Sequence, residues 1–167
     1  MARPQVSVIM GSDSDLEIMN EAAKSLSDFG IPHEIRVLSA HRSPELVTKF
    51  CKDLKSRGIR VVIAGAGGAA HLAGVVAAHA IIPVIGVPIN SSSLNGLDSL
   101  LSTVQMPSGI PVATVAVGKA GASNAGILAA QILGVHSKKL QAKLERHKKK
   151  LERSVVEKNE RLRKGKK

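Results

Sequence analysis

Three observations predict an α/β fold built on a five-stranded parallel sheet. Short apolar segments alternate five times with longer segments of helical periodicity. Each apolar segment runs into a polar or glycine-rich turn before the next helix opens. The chain is 44% hydrophobic, yet Phe29 and Phe50 are its only aromatics. Its core is therefore made of Val, Ile, Leu, Ala and Gly, which suits close packing of helix on sheet. Such alternation puts helices on both faces of the sheet through right-handed crossovers. The expected architecture is a three-layer sandwich, Rossmann-like or flavodoxin-like, with a long C-terminal helix. Residues 1–135 form the α/β domain and 136–167 a basic helical tail.

Val6-Ser-Val-Ile-Met10 reads as a buried strand, followed by the turn Gly11-Ser-Asp-Ser-Asp15. Leu16, Met19, Ala22, Ala23 and Leu26 recur at helical spacing until Gly30 stops the helix. Ile31 to Leu38 is the second strand. Pro44 opens a second helix whose apolar face carries Leu46, Val47, Phe50, Cys51 and Leu54, and Gly58 ends it. Arg60 to Ala64 is the third strand, and it runs into the glycine loop Gly65 to His71. A small-residue helix then continues to about Ala80. Pro83 to Val87 is the fourth strand, Leu97 to Gln105 a short helix, Pro111 to Val117 the fifth strand, and Gly121 to Leu133 an Ala-rich helix. From His136 on, Leu140, Leu144, Leu151, Val155 and Leu162 make a thin stripe along a basic helix. Glu145–Lys149, Glu157–Arg161 and Glu160–Lys164 have favourable i,i+4 spacing.

The net charge of +11 sits almost wholly in the tail. Residues 138–167 hold 14 Lys+Arg against 4 Asp+Glu, and the first 137 hold 10 against 9. A single cysteine, Cys51, excludes an internal disulfide framework and reads as a buried structural thiol. No apolar run is long enough to span a bilayer, because Ile81 to Ile89 is broken by Pro83 and Pro88. No secretory signal is evident, and a reducing cytoplasmic setting is expected.

Ser39-Ala-His-Arg-Ser-Pro44 follows an extended apolar segment and precedes a helix, so it lies at the carboxyl end of a strand, where open α/β sheets bind ligands. An imidazole exchanges a proton near neutral pH, and a guanidinium forks onto phosphate or carboxylate. A plain solvated loop with Ser43 capping the next helix is the competing reading. Gly11 to Asp15 admits two readings as well. Ser12 and Ser14 can donate to phosphate at a helix start while a carboxylate accepts from ribose hydroxyls. Alternatively Asp13 or Ser14 simply caps, Ser14 and Glu17 having capping-box spacing. Asp13 and Asp15 could also hold a magnesium ion, but no metal is the expectation here. Gly65-Ala-Gly-Gly-Ala-Ala-His71 matches a dinucleotide fingerprint only weakly, because it follows the third strand and no acid lies some twenty residues on. Its glycines let backbone close around a small flat ligand, and His71 is either a ligand contact or a helix-start residue. His33, His79, His136 and His147 have no such setting. Ser91 to Asn95 and Gly118 to Asn124 are further polar loops. The second lacks the G-K-[ST] ending of a P-loop.

Taken in order, several motifs make the chain resemble the 5-(carboxyamino)imidazole ribonucleotide mutases of purine biosynthesis over about residues 5 to 135. They are Met10-Gly-Ser-Asp-Ser-Asp15, Ser39-Ala-His-Arg-Ser-Pro44 and Ala64-Gly-Ala-Gly-Gly-Ala-Ala-His-Leu72. Gly86-Val-Pro88, Asp98-Ser-Leu100, Gln105-Met-Pro-Ser-Gly-Ile-Pro111 and Gly118-Lys-Ala-Gly-Ala-Ser-Asn-Ala125 complete the set. The resemblance implies a flavodoxin-like subunit in a homo-octamer. It implies migration of a carboxylate from the exocyclic nitrogen of an aminoimidazole ribonucleotide to a ring carbon, with no metal, ATP or organic cofactor. By motif position His41 is implied as general acid/base. Ser12, Asp15, Ser39 and Arg42 are implied as phosphate and ribose contacts, and Gly67, Ala70, His71 and Leu72 as the loop around base and carboxylate. The chain departs from many members at Leu16, where they carry Trp, and at Ala73, where they carry Pro. Neither position is a reacting group.

Two alternatives stand beside the mutase. A related branch carboxylates the aminoimidazole ribonucleotide with free carbon dioxide, and it tends to carry Lys after the motif His, where this chain has Arg42. A polyanion-binding protein working through the basic tail is the other, but stacking aromatics and any zinc or helix-turn-helix signature are absent. Nucleic acid is therefore not an expected partner. A flavin binder fits poorly without Trp or Tyr to stack on the ring.

Overall fold

The computed structural model describes residues 3–90 and 94–165. Ser91–Ser93, expected to be part of a polar loop, lie outside the described residues. The elements run β1 (Val6–Met10), α1 (Leu16–Asp28), β2 (His33–Val37), α2 (Pro44–Arg57), β3 (Val61–Gly67), α3 (Leu72–His79), β4 (Val84–Ile89), α4 (Leu97–Val104), β5 (Ala113–Thr114), α5 (Gly118–Gly134) and α6 (Lys138–Arg163). A short 3-10 turn, Asp13–Asp15, links β1 to α1. The five strands form one parallel sheet in the order β2-β1-β3-β4-β5. That is the flavodoxin-like order, and it reverses direction between β1 and β3.

Strand alternation divides the core between two faces. Ile9, Val62, Ala64 and Val84 pack with Val47, Phe50 and Leu54 of α2 and with Leu72, Ala73 and Val76 of α3. On the opposite face, a Cβ at Gly65 would lie 2.3 Å from Met19 Sδ, so α1 approaches the sheet where a side chain is missing. A Cβ at Gly126 would lie 2.7 Å from the Ala22 carbonyl oxygen, so α5 crosses α1 at backbone distance. The Ser25 and Ser123 hydroxyls meet there at 3.1 Å. Gly86 plays the same part under α4, where its Cβ would meet Thr103 Cγ2 at 2.4 Å. Edge strand β2 is tied down by polar contacts. Buried Ser7 donates to Glu34 (2.8 Å), Arg57 pairs with the same carboxylate, and the Arg36 and Arg57 guanidiniums cover Phe50 at 5.5 and 6.0 Å.

Three sequence expectations change. Strand β3 runs on to Gly67 instead of stopping at Ala64, because Gly65, Ala66 and Gly67 pair with Val87, Pro88 and Ile89 of β4. Pairing overrides the low strand propensity of glycine. Strand β5 shrinks to Ala113–Thr114 from the expected Pro111 to Val117, as an edge strand with a single neighbour. Gly118 to Asn124 is the start of α5 and not a loop, and a Cβ on Gly121 would lie 1.5 Å from the Ala116 carbonyl oxygen. Gly65 and Gly121 serve close packing.

The chain divides into two compact units, Met1–Ala129 and Ala130–Lys167, with the division inside α5. In the second unit Ser137 caps α6, its Oγ accepting from the Leu140 N–H at 3.3 Å. Leu140 and Leu144 are half-buried, whereas Leu151, Val155 and Leu162 are exposed. Arg161 turns its Nε to the Glu157 carbonyl (3.5 Å). No helix among the described residues is long and apolar enough to cross a membrane.

Candidate active site at the strand switch point

A crevice of about 290 Å³ opens at the carboxyl ends of β1, β2 and β3, where the strand order reverses. Gly11, Ser12, Ser14 and Asp15 line it from the turn after β1, and Ser39 to Arg42 from the loop after β2. Ala66, Gly67, Ala69, His71 and Leu72 line it from the end of β3. The three motif loops, distant in sequence, converge because neighbouring parallel strands end on one side.

The loop after β2 is braced from within. Ser43 does not cap α2. Its hydroxyl donates to the Ser39 carbonyl (3.0 Å) and accepts from the Ser39 N–H (3.2 Å). That contact turns the chain so that His41 and Arg42 project into the crevice. The Ser39 hydroxyl accepts from Arg42 twice, from the backbone N–H at 3.2 Å and from Nε at 3.3 Å. Arg42 Nη2 then donates to the Gly11 carbonyl, which ties the β1 and β2 loops together.

His41 Nε2 lies 2.8 Å from His71 Nδ1, and the rings meet edge to face with centroids 4.9 Å apart. Such a contact needs an N–H on one nitrogen and a lone pair on the other, so the pair carries a proton between two loops. His71 also occupies the N-cap position of α3 without capping it. His71 thus stands at the helix start and also lines the crevice.

Capping at the first loop falls to Ser12, whose Oγ accepts from the Ser14 N–H at 3.3 Å. Neither Asp13 nor Ser14 caps α1; Asp15 holds the N-cap position and makes no side-chain capping bond. Asp15 is buried, only 7% exposed, and burial pushes its carboxyl above the usual carboxylate range. Hydrogen bonds at Ser12 and Ser14 and the Arg42 charge oppose that shift. Among the described residues no three His, Cys, Asp or Glu side chains gather as a metal-ligand group.

Of the nine residues singled out from the sequence, Ala70 alone does not line the crevice. It is buried, and its N–H is held by the Ser102 hydroxyl of α4 (3.0 Å). Sequence reasoning missed Ser102, and also the lining positions Ala40, Ala66 and Ala69. Ser102 lies in an unremarkable helical stretch, so only the fold brings it to the loop. Outside the site, the His33 ring bonds the Ile31 carbonyl (2.9 Å), a local structural contact. Cys51 is buried, its thiol pushed up to about 11 by desolvation.

Comparison with known proteins agrees with this fold. The family model described as AIR carboxylase matches residues 5–154. The N5-carboxyaminoimidazole ribonucleotide mutase of Pyrococcus horikoshii is 57% identical over 160 residues, covering 96% of this chain and 89% of the relative. That of Thermotoga maritima is 55% identical over 159 residues, covering 95% and 92%. The crystal structure of Treponema denticola PurE superposes with a TM-score of 0.87 at 31% identity, over 96% of this chain and 99% of that one. With the strand order, the three convergent loops and a match across most of its length, the chain belongs to the AIR carboxylase family, beside the N5-carboxyaminoimidazole ribonucleotide mutases.

Proposed function

We propose that this chain is an N5-carboxyaminoimidazole ribonucleotide mutase of purine biosynthesis, with His41 as its general acid and base. The observation that carries the assignment is the His41–His71 contact at 2.8 Å beside Arg42, Ser39, Ser12 and Asp15 in one crevice.

Moving the carboxylate needs two proton transfers of opposite sense. The exocyclic nitrogen gains a proton as its bond to the carboxyl carbon breaks, leaving the amine and carbon dioxide. The ring carbon then attacks carbon dioxide, a carbon–carbon bond forms, and that carbon loses its proton to restore the aromatic ring. One imidazole can give the first proton and take the second, so no net proton is consumed. His41 serves both steps, a reading supported by its hydrogen-bond contact with His71. Arg42 supplies charge for the phosphate, and Ser12 and Ser39 supply hydroxyls. Asp15 accepts from ribose hydroxyls. Gly67 and Leu72, with Ala70 behind them, form the wall that keeps carbon dioxide next to the ring.

The same reading extends to a homo-octamer in the cytoplasm. Exposed Leu97, Leu101 and Val104 on α4 and Ile35 and Val37 on β2 support self-association, since such apolar surface is suited to burial against another subunit. Mass photometry of the purified protein tests the assembly state.

Turnover of 5-(carboxyamino)imidazole ribonucleotide without ATP, metal or bicarbonate, in wild type and His41→Asn, tests the function. Product from wild type alone supports the mutase and the role of His41. Product only from the uncarboxylated ribonucleotide with bicarbonate moves the chain to the carboxylase branch.

A further inference from the structure

We propose that Ser102 of α4 is a positioning residue for the site, acting through the 68–71 loop on His71. This inference rests on the mutase reading for its activity readout. Its structural basis is independent of that reading.

The segment between β3 and α3 turns sharply in four residues, with Gly68 at φ +61°. Turning strips the backbone of sheet and helix partners. Ala70 is 1% exposed, so its N–H has no access to water and needs an acceptor inside the protein. Ser102 Oγ supplies it at 3.0 Å. The hydroxyl proton of Ser102 lies within reach of the Gly68 carbonyl (3.4 Å) and of the Ser99 carbonyl (3.2 Å). One side chain from a different helix thus bridges both arms of the turn, accepting from residue 70 and donating toward residue 68.

The serine is itself held in place. Buried Ser99, one turn earlier on α4, donates to the carbonyls of Ile89 (3.0 Å) and Gly96 (2.9 Å). Thr103 donates to the Ser99 carbonyl (2.7 Å) and packs over Gly86 of β4. The α4 helix is therefore fixed to the end of β4, and Ser102 carries that fixed reference to the β3 loop. His71 follows Ala70 directly. It makes no capping bond, so the backbone of the loop sets where its ring stands. A contact of 2.8 Å between two imidazoles tolerates little backbone drift, since hydrogen bonds weaken steeply with angle and distance.

The test is a double-mutant cycle on the full-length protein. Ser102→Ala leaves the Ala70 N–H unpaired and is expected to lower kcat about tenfold. Ser102→Thr keeps the hydroxyl and is expected to restore turnover. His71→Ala lowers kcat on its own, and the Ser102→Ala/His71→Ala pair is expected to be no slower than His71→Ala. Additive losses would overturn the proposal, because a serine that merely stabilised the fold would act whether or not His71 is present. Hydrogen exchange read by mass spectrometry over residues 67–72 accompanies the kinetics. Faster exchange there in Ser102→Ala, with β1 and β4 unchanged, supports the clamp, and unchanged exchange overturns it. If wild type shows no turnover, the mutase reading has failed, and the exchange measurement judges the clamp by itself.

Discussion

His41 and His71 stand thirty residues apart in the chain, yet their Nε2 and Nδ1 atoms are 2.8 Å apart. The parallel pairings of β1 with β2 and with β3 bring the two loops to one side of the sheet. Since one nitrogen must donate and the other accept, the contact cannot survive when both rings are doubly protonated. His41→Asn removes the proposed acid/base group and is expected to lower kcat by about 10²–10⁴. Steady-state kinetics check this, with substrate affinity retained.

Arg42 ties two loops together through Ser39 and the Gly11 carbonyl, and it lines the crevice. Lysine keeps the charge but loses the fork. Arg42→Lys is expected to raise KM by about tenfold with a smaller change in kcat. A titration of initial rate against substrate separates the two effects.

Asp15 sets function against stability. Its carboxyl is raised by burial, so between the unfolded value near 3.8 and the higher folded value the native state binds more protons than the unfolded state. Stability contributed by this group is therefore present below the unfolded value and falls as pH rises through the folded one. Asp15→Asn is expected to raise Tm at pH 7, with the gain shrinking below pH 4, while activity drops. Thermal melts across pH, run beside turnover, read both signs.

Two glycines separate packing from ligand space. Gly126→Ala would press a Cβ against the Ala22 backbone and Ser25, and is expected to destabilise by about 1–3 kcal/mol. Gly11 has nothing within 4 Å of its Cβ position but lines the crevice. Gly11→Ala is expected to leave stability within about 0.5 kcal/mol and to raise KM. Urea denaturation and kinetics on both variants provide the comparison.

Cys51 is buried with its thiol pushed up to about 11, so little thiolate exists at pH 8. Labelling by a thiol reagent is expected to be slow in the native protein and complete after denaturation. Quantifying the released chromophore at fixed times checks this.

The sequence by itself determined the order and type of the elements, because apolar periodicity and glycine punctuation are local signals. Strand β1 fell at Val6–Met10 as expected, and α2 between Pro44 and Gly58. The motif loops were legible because His, Arg, Ser and Gly stood at strand ends, where this fold class puts chemistry. The tertiary structure alone decided what those signals do not encode. Gly65 to Gly67 became strand because β4 pairs with it, and Gly118 to Asn124 became helix although its composition reads as loop. Ser43 turned back to Ser39 instead of capping, and Ser102 reached the Ala70 N–H from 32 residues further along the chain. The Ser43–Ser39 contact is local and competes with capping, but the β4 pairing and the Ser102 bond depend on partners far along the chain. A hydrogen bond or close approach forms only when both groups are present, and local sequence carries only one of them.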